Sequence, residues 1–260
     1  MPSGTRPGTP GDSLTYVYGV FPGDIKLDAD LTGVGDPPGK VRIVRCGDIA
    51  ALVSDVTATE PLGSPRDLAT HKDLLDASAP AVPVLPMRFG AVLTDDDAVA
   101  EDLLAANHDI FTQALQELDG RVQYVVKARY RERTLIREVM AENSGAARLH
   151  EVIKQAGSRA GNDAKMRLGE MIETTVASKR DEDTSTLADR IEGHYEASVL
   201  REPRHERDAV YAALLVNSSQ SEDLKRAVDD LAAEWKDRID LRLLGPMAAY
   251  DFVGMPESGV

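Results

Sequence analysis

Five histidines, one cysteine and two acidic runs are the residues of this chain with the chemistry to catalyse or to ligate. None is spaced for it. His71, His108, His150, His194 and His205 include no pair four apart, the spacing that puts two imidazoles on one helix face for zinc, and Cys46 has no second cysteine to join it. His71 and His108 fall in helical stretches and read as solvated or satisfied structural histidines. Cys46 falls in a strand and reads as a small buried hydrophobe. Asp95-Asp96-Asp97 reads as the start of a helix capped by Thr94, with carboxylates at the positive end of the helix dipole. Arg180-Asp181-Glu182-Asp183 reads as a solvated loop between helices. Neither acidic run has the glycine and spaced oxygens of a calcium loop. Gly33-Val34-Gly35-Asp36-Pro37-Pro38-Gly39-Lys40 looks like a phosphate loop but fails as one. Valine stands where the first glycine belongs, Val41 replaces the hydroxyl residue after the lysine, and two prolines remove backbone donors. No G-x-S-x-G elbow is present. The reading is of a protein that is not an enzyme and takes no metal, nucleotide or other cofactor.

The elements follow from hydrophobic period and punctuation. Leu14–Phe21 is β-branched and aromatic and stops at Pro22-Gly23, which predicts a strand. Val41–Ile49 and Ala51–Val56, turning at Gly47-Asp48, predict a hairpin. Ser64-Pro65-Arg66-Asp67 is a capping box with proline in the first turn, opening a helix to about Ser78. Val82–Phe89 is apolar but carries Pro83 and Pro86, so it belongs on an edge rather than inside a sheet. Val99, Leu103, Ile110, Ala114 and Leu118 follow helical spacing to Asp119-Gly120. A strand over Arg121–Tyr130 has Val122, Tyr124 and Val126 on one face.

From about 131 to 197 the chain is highly charged and helical in pattern, with breaks at Ser144-Gly145 and between Gly157 and Gly161. Leu168, Ile172, Val176, Leu187 and Ile191 mark its inner face. A short strand near Ser198–Pro203, a clear strand over Asp208–Asn217, a helix behind a second capping box at Ser219–Glu222, and a last strand over Ile239–Leu244 complete the pattern. Leu224, Val228, Leu231 and Trp235 form one stripe of that helix. The fold class is α+β with two domains. Residues 1–13 read as a disordered tail, 14–119 as an N-terminal α+β domain, and 120–255 as a modified ferredoxin-like βαββαβ unit with a helical insert at about 131–197.

Composition narrows the partners. The 260 residues carry 30 Lys and Arg against 44 Asp and Glu, a formal charge of -14. That sign disfavours phosphate backbones and anionic membrane surfaces, so neither nucleic acid nor membrane is expected. No run reaches the roughly 20 apolar residues of a membrane span, and the start of the chain has no apolar signal region. A cytoplasmic protein is expected.

Two segments are more specific than these patterns. One is Val84-Leu85-Pro86-Met87-Arg88-Phe89-Gly90-Ala91-Val92, the other Leu243-Leu244-Gly245-Pro246-Met247-Ala248-Ala249-Tyr250-Asp251-Phe252-Val253. With Tyr16–Val20 and Ala213–Val216 they resemble, in order and separation, the gas vesicle protein F/L family from about Tyr16 to Val253. The family's aromatic after Gly-Pro and its two following prolines are here Met247, Ala248 and Ala249. The resemblance implies two α+β domains, the second a modified ferredoxin fold. It implies an accessory or minor structural role in gas vesicle assembly, located at the gas vesicle. The implied partners are the hydrophobic major shell protein and other gas vesicle accessory proteins. Candidate partner-binding residues are Leu85, Met87, Arg88, Phe89, Tyr250 and Phe252. A charged protein can cover the apolar surface of an unassembled shell subunit and keep it dissolved. A ligand-binding or regulatory ferredoxin-like module is the alternative.

Overall fold

The computed structural model describes residues 13–27, 31–59, 61–159 and 161–253. The expected tail lies outside these, except for Ser13, which opens the first strand. The chain divides into two compact units, 1–123 with 246–260, and 124–245. The segment from Pro246, which the sequence pattern attached to the second domain, thus belongs with the first unit. Both sheets are antiparallel.

In the first unit β1 (Ser13–Pro22) pairs with β3 (Ile49–Thr57), which pairs with β2 (Arg42–Cys46) across the Gly47-Asp48 turn. Two-residue strands β4 (Leu85–Pro86) and β5 (Val92–Leu93) pair with the other side of β1. The sheet order is β2-β3-β1-β4, with β5 also on β1. Tyr16 to Phe21 are buried on both faces, which is why β1 reads as a continuous apolar run rather than an alternating one. One face carries a core of Tyr16, Tyr18, Phe21, Leu52 and Val56 with Leu75 and Ala79, the last two from α1 (Pro65–Ser78) and its end. A register shift between Val17 and Gly19 marks a bulge in β1.

The stretch after Thr94 departs from the expected single helix. Asp95, not Thr94, caps α2 (Asp96–Ala98), accepting from the Ala98 N–H at 2.8 Å. The chain then runs as a π-helix over Val99–Ala105, breaks at Asn107, and resumes as α3 (His108–Leu118). Each π turn takes in one extra residue, so burial passes from Val99 to Leu104 and on to Phe111, Leu115 and Leu118. Leu103 is half-buried and Ile110 is 54% exposed; the regular stripe predicted through them does not form.

In the second unit the sheet order is β7-β8-β6-β9, with β6 at Arg121–Tyr130, β7 at Ala197–Leu200, β8 at Asp208–Asn217 and β9 at Ile239–Met247. β9 runs past Gly245-Pro246, the predicted stop. Between β6 and β7 stand α4 (Glu132–Glu142), α5 (Ser144–Ala156) and α6 (Asn162–Arg190). α7 (Ser221–Trp235) buries the predicted stripe of Leu224, Val228, Leu231 and Trp235. The predicted capping box there is absent; Asn217 instead caps a short 3-10 turn leading into the helix.

Asp183 lies inside α6, not in a loop. Its neighbours on the buried face are Val176, Lys179 and Leu187, three to four residues apart, so they share one side. Arg238 grips Asp183 with two bonds of 2.7 and 2.6 Å, and the Tyr130 hydroxyl donates to it at 2.6 Å. Lys179 reaches Glu142 at 2.7 Å and Glu138 at 2.9 Å, and Arg238 also contacts Glu138 at 3.1 Å. This network joins α4, α6, β6 and the start of β9.

Candidate functional site

α1 builds the platform of the site. The Ser64 hydroxyl accepts from the Asp67 N–H at 3.1 Å while Asp67 accepts from the Ser64 N–H at 3.0 Å, the reciprocal cap its sequence predicts. The Asp67 carboxylate also accepts from the Gly35 and Gly63 N–H groups. The Gly35 bond leads in holding its pKa below the usual carboxylate range. Asp67, His71 and Leu75 then recur every four residues on the buried side.

His71 and Tyr16 hold the Leu85–Phe89 segment. Tyr16 Oη lies 2.8 Å from His71 Nδ1 and accepts from the Gly90 N–H at 3.2 Å. The Met87 carbonyl lies toward the imidazole and favours a proton on it. The bonds close consistently when the phenol donates to Nδ1 and the imidazole is neutral. Burial pushes the Tyr16 phenol above its usual range, so it keeps the proton it donates. Phe89 completes a ring cluster, with centroids 5.9 Å from Tyr16 and 5.6 Å from His71; Tyr18 stacks on His71 at 5.7 Å.

The segment is a turn and not a continuous strand. β4 contributes only Leu85 and Pro86; Met87 N–H donates to Tyr18 O at 2.9 Å, and Ala91 N–H to Arg88 O at 3.2 Å. Gly90 has φ of 91°, as a type II turn over Arg88–Ala91 requires at its third position. Arg88 and Phe89 differ in exposure because they sit at successive positions of this turn. Leu85 is buried, Met87 and Phe89 are half-buried, and Arg88 is exposed. Among the described residues Arg88 has no ion pair.

Tyr250 and Phe252 meet the same unit from the C-terminal segment. Tyr250 packs on the core cluster that also receives Phe89. The Ala248 N–H donates to Asp76 of α1 at 3.1 Å, and Gln123 and Asp251 exchange two bonds of 2.6 and 2.9 Å. Tyr250 Oη is buried beside Asp76 without a hydrogen bond of normal geometry. Phe252 is half-buried in a turn closed by its N–H on Ala249 O at 3.1 Å. α1 thus stands between the two groups of candidates, His71 toward one and Asp76 toward the other. Sequence spacing missed His71 because its partner Tyr16 is 55 positions away. Cys46 is half-buried in β2 rather than buried. His108 pairs with Asp48 at 2.6 Å. No group of three or more metal-ligating side chains occurs among the described residues, and no helix among them is long and apolar enough to cross a membrane.

Burial holds the His71 pKa below its usual 6.5, against the opposing pull of the Met87 carbonyl and of Asp76. The unfolded chain therefore takes up this proton first as pH falls. The contribution of His71 to stability is fully present above about pH 6.5 and is lost toward the lower folded pKa, by at most about 1.4 kcal/mol per pH unit for one proton. Urea unfolding of wild type and His71→Gln between pH 7 and pH 5 should show a shallower pH dependence for the variant. Parallel dependences would contradict the neutral-imidazole assignment.

Fold and site together define a mixed helix-and-sheet protein with two antiparallel sheets and an aromatic-backed turn at a sheet edge. The sequence pattern of the gas vesicle synthesis protein GvpL/GvpF family matches residues 14–254, and the chain belongs to that family. Gas vesicle protein F of Streptomyces sp. (strain CB03234) is 34% identical over 243 residues, covering 92% of this chain and 99% of that protein. Gas vesicle protein L of the same strain is 31% identical over 278 residues, 96% of each. The crystal structure of GvpF from Anabaena sp. PCC7120 matches with a TM-score of 0.77 at 22% identity, over 94% of this chain and 99% of that one. GvpF from Microcystis aeruginosa gives 0.74 at 21% identity, over 92% and 98%. The role of the chain is accordingly a gas-vesicle-related one.

Proposed function

We propose that this chain is an accessory or minor structural protein that binds the hydrophobic gas vesicle shell protein and assists its assembly, working in the cytoplasm at the gas vesicle with other accessory proteins. The observation that carries the reading is the Arg88–Ala91 turn. It sits at the terminal edge of the first sheet, offers Arg88 to solvent, and is braced from behind by Phe89, Tyr16 and His71. A braced turn presents a fixed shape to a partner with little ordering cost on binding. The edge beside it offers backbone pairing of the kind extended segments use. Leu85, Met87 and Phe89 position the turn in this reading, and Tyr250 and Phe252 extend the same unit's surface. We read the chain as two domains with a boundary near Gly120 in sequence, the segment from Pro246 belonging with the first. The order β9-β6-β8-β7, with helices between β6 and β7 and between β8 and β9, supports a modified ferredoxin-like second domain.

The test is capture of the shell protein by an Arg88→Glu variant. An exposed position away from caps and core changes stability by no more than about 0.5 kcal/mol, so the variant should melt as wild type does. Shell-protein capture should fall at least tenfold. Undiminished capture by a folded variant would reject the turn as the docking element.

A further inference from the structure

A second surface, in the unit spanning 124–245, has a different chemistry. On one face of its sheet lies a concavity of about 360 Å³ lined by Lys127, Arg129, Arg204, Asp208, Tyr211 and Arg242, among others. Tyr211 forms its centre. Lys127 Nζ lies 5.0 Å from the ring centroid, and the guanidinium carbons of Arg201 and Arg204 lie 4.8 and 5.5 Å from it. Three cations on one ring stand out in a chain whose net charge is -14. The carboxylates at the site are already committed. Asp208 is bonded by Arg129 at 3.0 and 3.1 Å and by the N–H groups of Arg204 and His205 at 3.0 and 2.9 Å. Asp240 pairs with Arg242 at 2.9 Å. Among the described residues, Lys127 and Arg204 face the ring and no carboxylate pairs with either.

We propose that this face docks an acidic polypeptide segment of a partner protein, a function separate from that of the Arg88 turn. Charge complementarity selects an anion, because Lys127 and Arg204, like charges on one ring, are relieved by a carboxylate between them. The nearby Asp208 and Asp240 limit the local surplus, which suits singly charged carboxylates better than a doubly charged phosphate. The adjoining strand favours polypeptide. β7 is terminal in its sheet, presents exposed Val199 and Leu200, and leads directly into Arg201. An extended chain laid along β7 pairs its backbone there and sets alternate side chains toward the cations.

The probe is a fluorescein-labelled octapeptide of alternating Glu and Thr, followed by fluorescence anisotropy with the full-length protein. A Gln/Thr octapeptide serves as control. Saturable binding of the Glu peptide is expected, at least tenfold weaker to Lys127→Gln/Arg204→Gln with an unchanged melting temperature. Because Lys127 is exposed, the single Lys127→Gln variant carries the test if the double variant melts lower. Absence of saturable binding, equal binding of the Gln peptide, or equal binding by the variants overturns the proposal. Displacement of the peptide by inorganic phosphate or phosphatidylserine vesicles at concentrations below those of unlabelled peptide overturns it in favour of a phosphate site.

Discussion

Asp183→Ala is expected to destabilise the protein by about 3–5 kcal/mol, the cost of removing one partner from a buried ion pair. Asp183 is 4% exposed, accepts both arms of Arg238, and also accepts a hydrogen bond from the Tyr130 hydroxyl. Alanine would leave the buried Tyr130 phenol without its acceptor and the half-buried Arg238 guanidinium with Glu138 alone. The Tyr130 hydroxyl is pushed well above its usual range by burial and by the Asp183 bond, so it donates and cannot stand in as an anion. Urea unfolding monitored by Trp235 fluorescence would measure the loss as a lower midpoint at unchanged slope. Replacing both charges, as in Asp183→Ala/Arg238→Met, should recover part of it, because the guanidinium that lost its two Asp183 bonds is gone. A loss below about 1 kcal/mol for the single variant would mean that water reaches Arg238 and the network is not buried in solution.

Gly19→Ala is expected to cost about 1–3 kcal/mol, the range for forcing an extra carbon into packed space. An added Cβ would stand 2.7 Å from the Leu85 carbonyl oxygen and 2.8 Å from Leu75 Cδ2. The leucine side chain can turn aside, but the carbonyl belongs to β4 and moves only if the strand moves. The effect should therefore concentrate on Val84–Leu93, where amide exchange should speed up relative to β3. Gly90→Ala makes a useful contrast. Nothing lies within 4 Å of its added carbon, yet its φ of 91° is strained for any L side chain. Its cost comes from the backbone, not from displacement of β4. Uniform loss of protection across the first sheet in Gly19→Ala would contradict a local cause.

The elements that the sequence predicts best are those whose signal is local. The Ser64–Asp67 cap, the Gly47-Asp48 hairpin and the stripe of α7 each lie within a few residues of their cause. The π-helix at Val99–Ala105 was not legible, because a pattern fitted at 3.6 residues per turn draws Leu103 and Ile110 inward in place of Leu104 and Phe111. Asp183 was misread for a different reason. Four charged residues in a row resemble a solvated loop, and only the recurrence of Val176, Lys179, Asp183 and Leu187 betrays a buried helical face. The candidate site was partly legible. Pro83 and Pro86 announce an edge. The brace behind it depends on Tyr16 meeting His71, a long-range contact that no local spacing encodes. The cations around Tyr211 come from β6 and from the loop between β7 and β8, and are likewise scattered along the chain.

The broken edge of the first sheet also bears on self-association. β4 and β5 give two residues each, interrupted by a turn, and Pro86 has no N–H to donate. A second copy meeting this edge would find only a few scattered main-chain partners, where linear stacking of strands needs a long uninterrupted row. Raising the concentration of the chain therefore gives this edge little tendency to nucleate fibrils, while a single extended segment can still settle on it and leave again.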